Sequence, residues 1–236
     1  MVGLRLSTTP FTGKLDGNYL AGCLTAFGAC LVKTAAGIAK PAMTADTDAT
    51  IGFAVQPSDN VVPDYDAFYT NSGRLTSKPD PIRMARDGEV VGLVVATADV
   101  HVEDGDYLEV ADLGDGSSYH GLLQEAGSSR GDIKTTHSKA KARQNITMGD
   151  ESYKQPTANV EIGDTSATLA AADITALNLQ EGNLILLRDV NGDVQVNAVK
   201  ELTSTTITFL IPSTVQLVAN TDYIHKVFQC TMEILN

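Results

Sequence analysis

The sequence predicts an all-β protein, and three observations lead there. Short runs rich in β-branched residues, such as TIGFAV at 50–55 and ITFL at 207–210, recur along the chain. No stretch keeps apolar residues at the 3.6-residue spacing for the three turns an ordinary helix needs. Turn chemistry punctuates the runs, most clearly at Asp87-Gly88, Asp104-Gly105 and Asn191-Gly192. Such pairs between alternating residues are the strongest local hairpin cue, because both turn positions of a type I′ turn take positive φ.

The first run, Phe27 to Lys33, meets Thr34-Ala35-Ala36-Gly37 and returns through Ile38 to Ala42, the spacing of a hairpin. Thr50 to Val55 follows as a strand and ends at the turn residues Gln56-Pro57-Ser58-Asp59-Asn60. Asp87-Gly88 then separates IRMAR from EVVGLVVATA, and Asp104-Gly105 separates VHVE from DYLEV. In that second hairpin Val100, Val102, Tyr107 and Leu108 supply the apolar contacts, while His101, Glu103 and Glu109 face water.

From Leu113 to Pro156 the character changes to many Gly and Ser with few β-branched residues, the composition of a long connection that is functional or orders on a partner. After it, Ala158–Ile162 and Ser166–Ala170 read as strands and Ala171–Leu179 as one short helical turn with Asp173 near its start. NLILLRDV, the type I′ pair Asn191-Gly192, DVQVNAV, ELTSTTITFL and YIHKVFQCTMEIL close the sequence as strands of similar length. The expected organisation is an N-terminal β-sandwich or barrel-like domain at 1–112, an extended arm at 113–156 and a C-terminal small β-barrel at 157–236. The length of 236 residues and an apolar content of 43% suit one large or two smaller β domains.

Charge narrows the function. With 29 Asp+Glu against 17 Lys+Arg the net charge is −12, which argues against general nucleic-acid binding. The basic residues nonetheless cluster: Arg130, Lys134, Lys139, Lys141 and Arg143 stand together against the single acid Asp132. A cationic segment on an acidic body reads as a linker or as a tether that orders on a negatively charged partner surface, and these five are the candidate partner contacts. No aromatic residues are interleaved with them to stack bases. Arg130-Gly131-Asp132 and the acceptor sequence Asn145-Ile146-Thr147 fall in the same segment as short chance-level motifs.

Reactive constellations are missing from the pattern. His101, His120, His137 and His225 are spread over different elements and form no paired-ligand spacing. Cys23, Cys30 and Cys230 build neither a disulfide framework nor a zinc site and read as buried small hydrophobes. Gly116-Ser117-Ser118-Tyr119-His120 lacks a nucleophile elbow, and no glycine-rich phosphate loop occurs, so the expectation is a protein that is not an enzyme and needs no cofactor. The carboxylate groups Asp46/Asp48, Asp64/Asp66, Glu103/Asp104/Asp106 and Asp112/Asp115 follow no calcium-loop spacing and read as solvated tips. The apolar stretch Leu20–Val32 is too short to span a bilayer and has the wrong flanks for a cleaved leader, so neither membrane association nor export is expected.

The segment LVKTAAGIAKPAMTADTDATIGFAV at 31–55, with EVVGLVVATADVHVEDGDYLEV at 89–110, resembles the head decoration (cement) proteins of tailed viruses of bacteria and archaea. The shared pattern is a strand and tight turn, a Thr/Ala/Asp tract, an Ile-Gly-Phe-Ala strand, then a Gly-centred hairpin. The resemblance covers about residues 27–110. It implies a virion structural protein on the outer surface of the head, made in the host cytoplasm. Its implied partners are the major capsid protein and copies of itself, with a trimer favoured. A tail-tube or connector subunit is the alternative within that class. Outside it stands a carbohydrate-binding surface module using Tyr65, Phe68 and Tyr69, and last a hydrolase around His120 and Asp115.

Overall fold

A computed structural model describes residues 11–14, 27–33, 39–42, 50–55, 81–85, 88–96, 101–113, 120–126, 140–148 and 152–234. It is mostly β, with one short helix among the described residues.

The first sheet has five strands. They are β1 (Phe11–Lys14), β2 (Cys30–Lys33), β3 (Ala39–Pro41), β4 (Thr50–Val55) and β5 (Pro81–Ala85), in the order β1-β5-β4-β2-β3. The two expected strands flanking Gly37 pair antiparallel as β2 and β3, the turn itself lying outside the described residues, and the TIGFAV strand is β4, paired to β2 on one side and β5 on the other.

The second sheet is built around its last strand. Its members are β6 (Gly88–Val95), β7 (Tyr107–Val110), β8 (Leu123–Glu125), β9 (Ala140–Ala142), β10 (Tyr153–Lys154) and β11 (Ser166–Thr168), followed by β12 (Leu184–Arg188), β13 (Val194–Leu202), β14 (Thr206–Phe209) and β15 (Tyr223–Ile234). The first half of β15, Tyr223–Lys226, pairs with β12, and β10 pairs with Ile224 and His225. Its second half, Val227–Ile234, pairs with β6, and Met232–Ile234 also pair with β9. Because β9 returns to β7, β7 to β8 and β8 to β6, these five strands form a closed circuit of pairings. Strands from 88–95, from the expected arm and from the C-terminal region therefore share one sheet.

Period-two burial explains why β15 can serve both halves. Cys230, Met232 and Ile234 enter one core with Val90, Val94, Leu108, Leu123, Ala140 and Ala142. Val227 joins a second with Leu93, Val95, Leu186 and Val196. Strand β12 is buried on both faces, Leu184 and Leu186 in that second core and Ile185 and Leu187 in a third with Phe209, Ile224 and Leu177. Each such side chain fully removed from water contributes roughly 1.5–3 kcal/mol.

The helix α1 (Ala171–Leu177) turns Ile174 and Leu177 into the third core. Asp173 lies in its first turn, and Asn178 ends it in the left-handed conformation at φ 45°. Lys226 Nζ donates to the Asn178 carbonyl at 2.9 Å, placing a cation where the helix dipole is negative.

Three expected turns differ from the sequence reading. Asp87 lies outside the described residues and Gly88 opens β6, and the strands on either side do not form a hairpin: β5 belongs to the first sheet, and β6 pairs with β15 and β8 in the second. Asp104-Gly105 is a turn, with Asp106 N–H donating to the Glu103 carbonyl at 3.0 Å, but its flanks also go elsewhere. Val102 bridges Ile146, and β7 pairs with β8 and β9. For β6 the partner is the 12-residue β15, which pairs with it along its whole length, and a tight turn fixes only a change of direction. Asn191-Gly192 does join the hairpin β12–β13, yet only Gly192 has positive φ, at 94°. The Asp189 carboxylate accepts from the N–H groups of Asn191 and Asp193, both at 2.8 Å, which stabilises a longer loop than the two-residue type I′ turn.

The two sheets meet at Gly121. The Cys30 N–H donates to the Gly121 carbonyl at 2.8 Å, and the Gly121 N–H donates to the Ala42 carbonyl at 2.9 Å. At φ +68° a Cβ here would stand 2.8 Å from the Ala29 Cβ, so only glycine fits.

Candidate interaction surface

The basic cluster divides. Arg130, Lys134 and Lys139 lie outside the described residues, as do Asp115, His137, Tyr65, Phe68, Tyr69 and Cys23. Lys141 and Arg143 belong to the protein's own body. Lys141 stands opposite Tyr107 and Glu233 in the sheet, with its Nζ 5.6 Å from the Tyr107 ring centroid. The Arg143 N–H donates to the Thr231 carbonyl at 2.8 Å, and its guanidinium forms an ion pair with Glu233. Gln144 extends this zipper, its Oε1 accepting from the Thr231 N–H at 3.0 Å. Both charges of the Arg143–Glu233 pair are about two-fifths exposed, at 40% and 39%, so it contributes at most about 1 kcal/mol.

Near this segment lies the acidic turn. Asp106 Oδ2 accepts from the Glu103 N–H at 2.7 Å, and Asn145 Oδ1 accepts from the Asp104 N–H at 2.7 Å. Partial burial and the charges of Asp106 and Glu103 push the Glu125 carboxyl above its ordinary value. Among the described residues, no three His, Cys, Asp or Glu side chains are grouped so as to hold a metal ion.

The histidines part ways. His101 is exposed, and its Nδ1 accepts from the Met148 N–H at 3.1 Å. His120 is buried beside the junction of the two sheets. Its Nδ1 accepts from the Leu122 N–H at 3.0 Å, and burial holds its pKa down at about 3. That nitrogen is committed to the backbone and is not free to take a proton from a substrate. His225 is buried on β15. Cys30 and Cys230 are buried, as their small apolar character suggested, and burial raises the Cys230 thiol to about 11. No helix among the described residues is long and apolar enough to cross a membrane.

The most distinctive surface feature was not legible in the sequence. Asp222, 2% exposed, accepts from the Val190 N–H at 2.8 Å through Oδ1 and from the Val218 N–H at 2.6 Å through Oδ2. Val190 comes from the β12–β13 loop and Val218 from the loop before β15, and their side chains are 59% and 48% exposed. One buried carboxylate thus holds two outward apolar side chains on separate loops in fixed relation. Nothing in the string NTDY around Asp222 distinguishes such a clamp from an ordinary turn aspartate. Ile162, 70% exposed, adds a third outward apolar residue two positions beyond Val160, which bridges to Leu217.

The chain matches no family model, no curated protein and no solved structure.

Proposed function

We propose that the protein is a non-enzymatic virion structural protein of the head decoration type, which binds an assembled shell and stabilises it. The observation that carries this reading is the clamped pair Val190 and Val218: outward apolar residues on a rigid mount suit a protein that works by surface contact. The resemblance over residues 27–110 supplies the kind of surface, the outer face of a capsid. Repetition of one modest contact around a symmetric ring of copies, a trimer in this reading, makes the attachment durable through multivalency.

The same reading takes the N-terminal region as sandwich-like or barrel-like and the C-terminal region as a small barrel. The intramolecular engagement of Lys141 and Arg143 leaves Arg130, Lys134 and Lys139 as the cationic contacts to an acidic neighbour.

Sedimentation of the purified chain alone and with emptied viral heads tests the proposal. Saturable co-sedimentation with heads at a stoichiometry set by their symmetry is expected. Partition with detached tails instead, or a monomer that stays in the supernatant with every shell offered, overturns it.

A further inference from the structure

Strand β15 carries a buried polar group that the reading above does not use. His225 is 2% exposed, and its Nδ1 lies 2.9 Å from the Ala96 carbonyl oxygen. A carbonyl can only accept, so Nδ1 carries the proton and Nε2 of the neutral ring presents a lone pair. Among the described residues, that Nε2 is buried and has no hydrogen-bond partner. Among the same residues Arg188 Nε, which is buried and can only donate, has none either.

Register brings the two together. His225 stands opposite Leu186, and Arg188 stands opposite Tyr223, so Arg188 and His225 are diagonal neighbours on one face of the β12–β15 pair. Burial first, and then the Arg188 charge, hold the His225 pKa at about 4, which keeps the ring neutral at ordinary pH. Tyr153 and Tyr223 wall the group, with ring centroids 5.4 and 6.0 Å from the imidazole. A buried donor and a buried acceptor left unsatisfied each destabilise the fold unless a partner reaches them.

We propose that Arg188 and His225 form a binding site for one hydroxyl-type oxygen, which accepts from Arg188 Nε–H and donates to His225 Nε2. A carboxylate cannot donate, and an ammonium cannot accept, so neither fits both atoms. Two sources share the required chemistry: a water molecule, or the hydroxyl of a small alcohol or sugar. A single oxygen with two or more polar partners meets the ordinary condition for buried water.

Nuclear magnetic resonance of the full chain, labelled with nitrogen-15, tests the site at pH 7 with and without glycerol as the probe. Expected are an unprotonated, hydrogen-bonded Nε2 at His225 and a cross-peak to Arg188 Hε from a bound hydroxyl. A cross-peak from water that persists in glycerol identifies water as the occupant, and its replacement by one from glycerol identifies an alcohol site. Protonation of His225 at Nε2, or no cross-peak from either source, overturns the proposal. Arg188→Lys keeps the charge and removes Nε–H, so in a variant with parental circular dichroism the His225 Nε2 resonance must shift. An unchanged resonance would show that Arg188 takes no part.

Discussion

Met232 occupies the space that a side chain on Gly92 would need: a Cβ built on Gly92 falls 2.3 Å from Met232 Cε and 2.5 Å from its Sδ. The two residues sit on β6 and β15, and Met232 is fully buried in the core of the strand circuit. Gly92→Ala is therefore expected to destabilise by about 1–3 kcal/mol through overpacking, despite the better strand propensity of alanine. Met232→Ala alone leaves a cavity and costs about 2–5 kcal/mol. In urea unfolding the double variant should lose clearly less than the sum of the two. Strict additivity would mean that the methionine is not what fills the glycine's space.

Two buried histidines make stability depend on pH. Their folded values, about 3 for His120 and about 4 for His225, lie below the value of about 6.5 expected unfolded. The unfolded chain therefore binds more protons as pH falls below about 6.5, and stability falls with it. Each histidine contributes about 1.4 kcal/mol per pH unit inside its window, so His225 accounts for about 3 kcal/mol between pH 6.5 and 4. His225→Gln should show a shallower loss of stability than the parent from pH 6.5 to 4.5. Parallel curves for the two proteins would remove His225 from the account.

Asp222→Asn keeps the size of the side chain but replaces one accepting oxygen with a donor that faces a backbone N–H. A loss of about 1–3 kcal/mol is expected for the orphaned buried group, read as a lowered melting temperature. An unaltered melting temperature would show that the two loops hold their places without the carboxylate.

Val190→Ser together with Val218→Ser separates folding from attachment. Both side chains are exposed, so stability should change by no more than about 0.5 kcal/mol for each. Association with viral heads should weaken at least several-fold, as loss of one contact is multiplied over a ring of copies. Full association by the double variant would relocate the contact to another surface.

The basic residues yield an ionic-strength test. Changing Arg130, Lys134 and Lys139 to Gln should weaken assembly most at low salt, where the parent's charges are least screened. Arg143→Gln, which removes only a half-exposed internal ion pair, should lower stability by under about 1 kcal/mol at any salt. Assembly of the triple variant equal to the parent at every salt concentration would make the segment a plain connection.

What the sequence revealed divides along the range of the interactions. The TIGFAV strand, the antiparallel pair on either side of Gly37, the hairpin at Asn191-Gly192 and the helix near Asp173 are set by neighbours in sequence, and each is found where expected. The partners of β6 were not legible, because the apolar run GEVVGLVV suits any long apolar strand and only packing selects β15. The same limit hid the Asp222 clamp and the Arg188–His225 pair, whose members lie on different strands and loops and meet only through register. His225 carried a faint cue, a polar residue between Ile224 and Val227 in a strand buried on both sides.

The shared strand also dictates when the protein can mature. His225 and its Ala96 partner are 129 positions apart, so ribosomal synthesis must deliver the stretch that includes β15 before β6 gains its long neighbour. Until then β6 presents an unzipped apolar edge, a state prone to premature sticking, and closing so wide a loop makes folding slow. A chain built this way completes its fold only once β15 has been made.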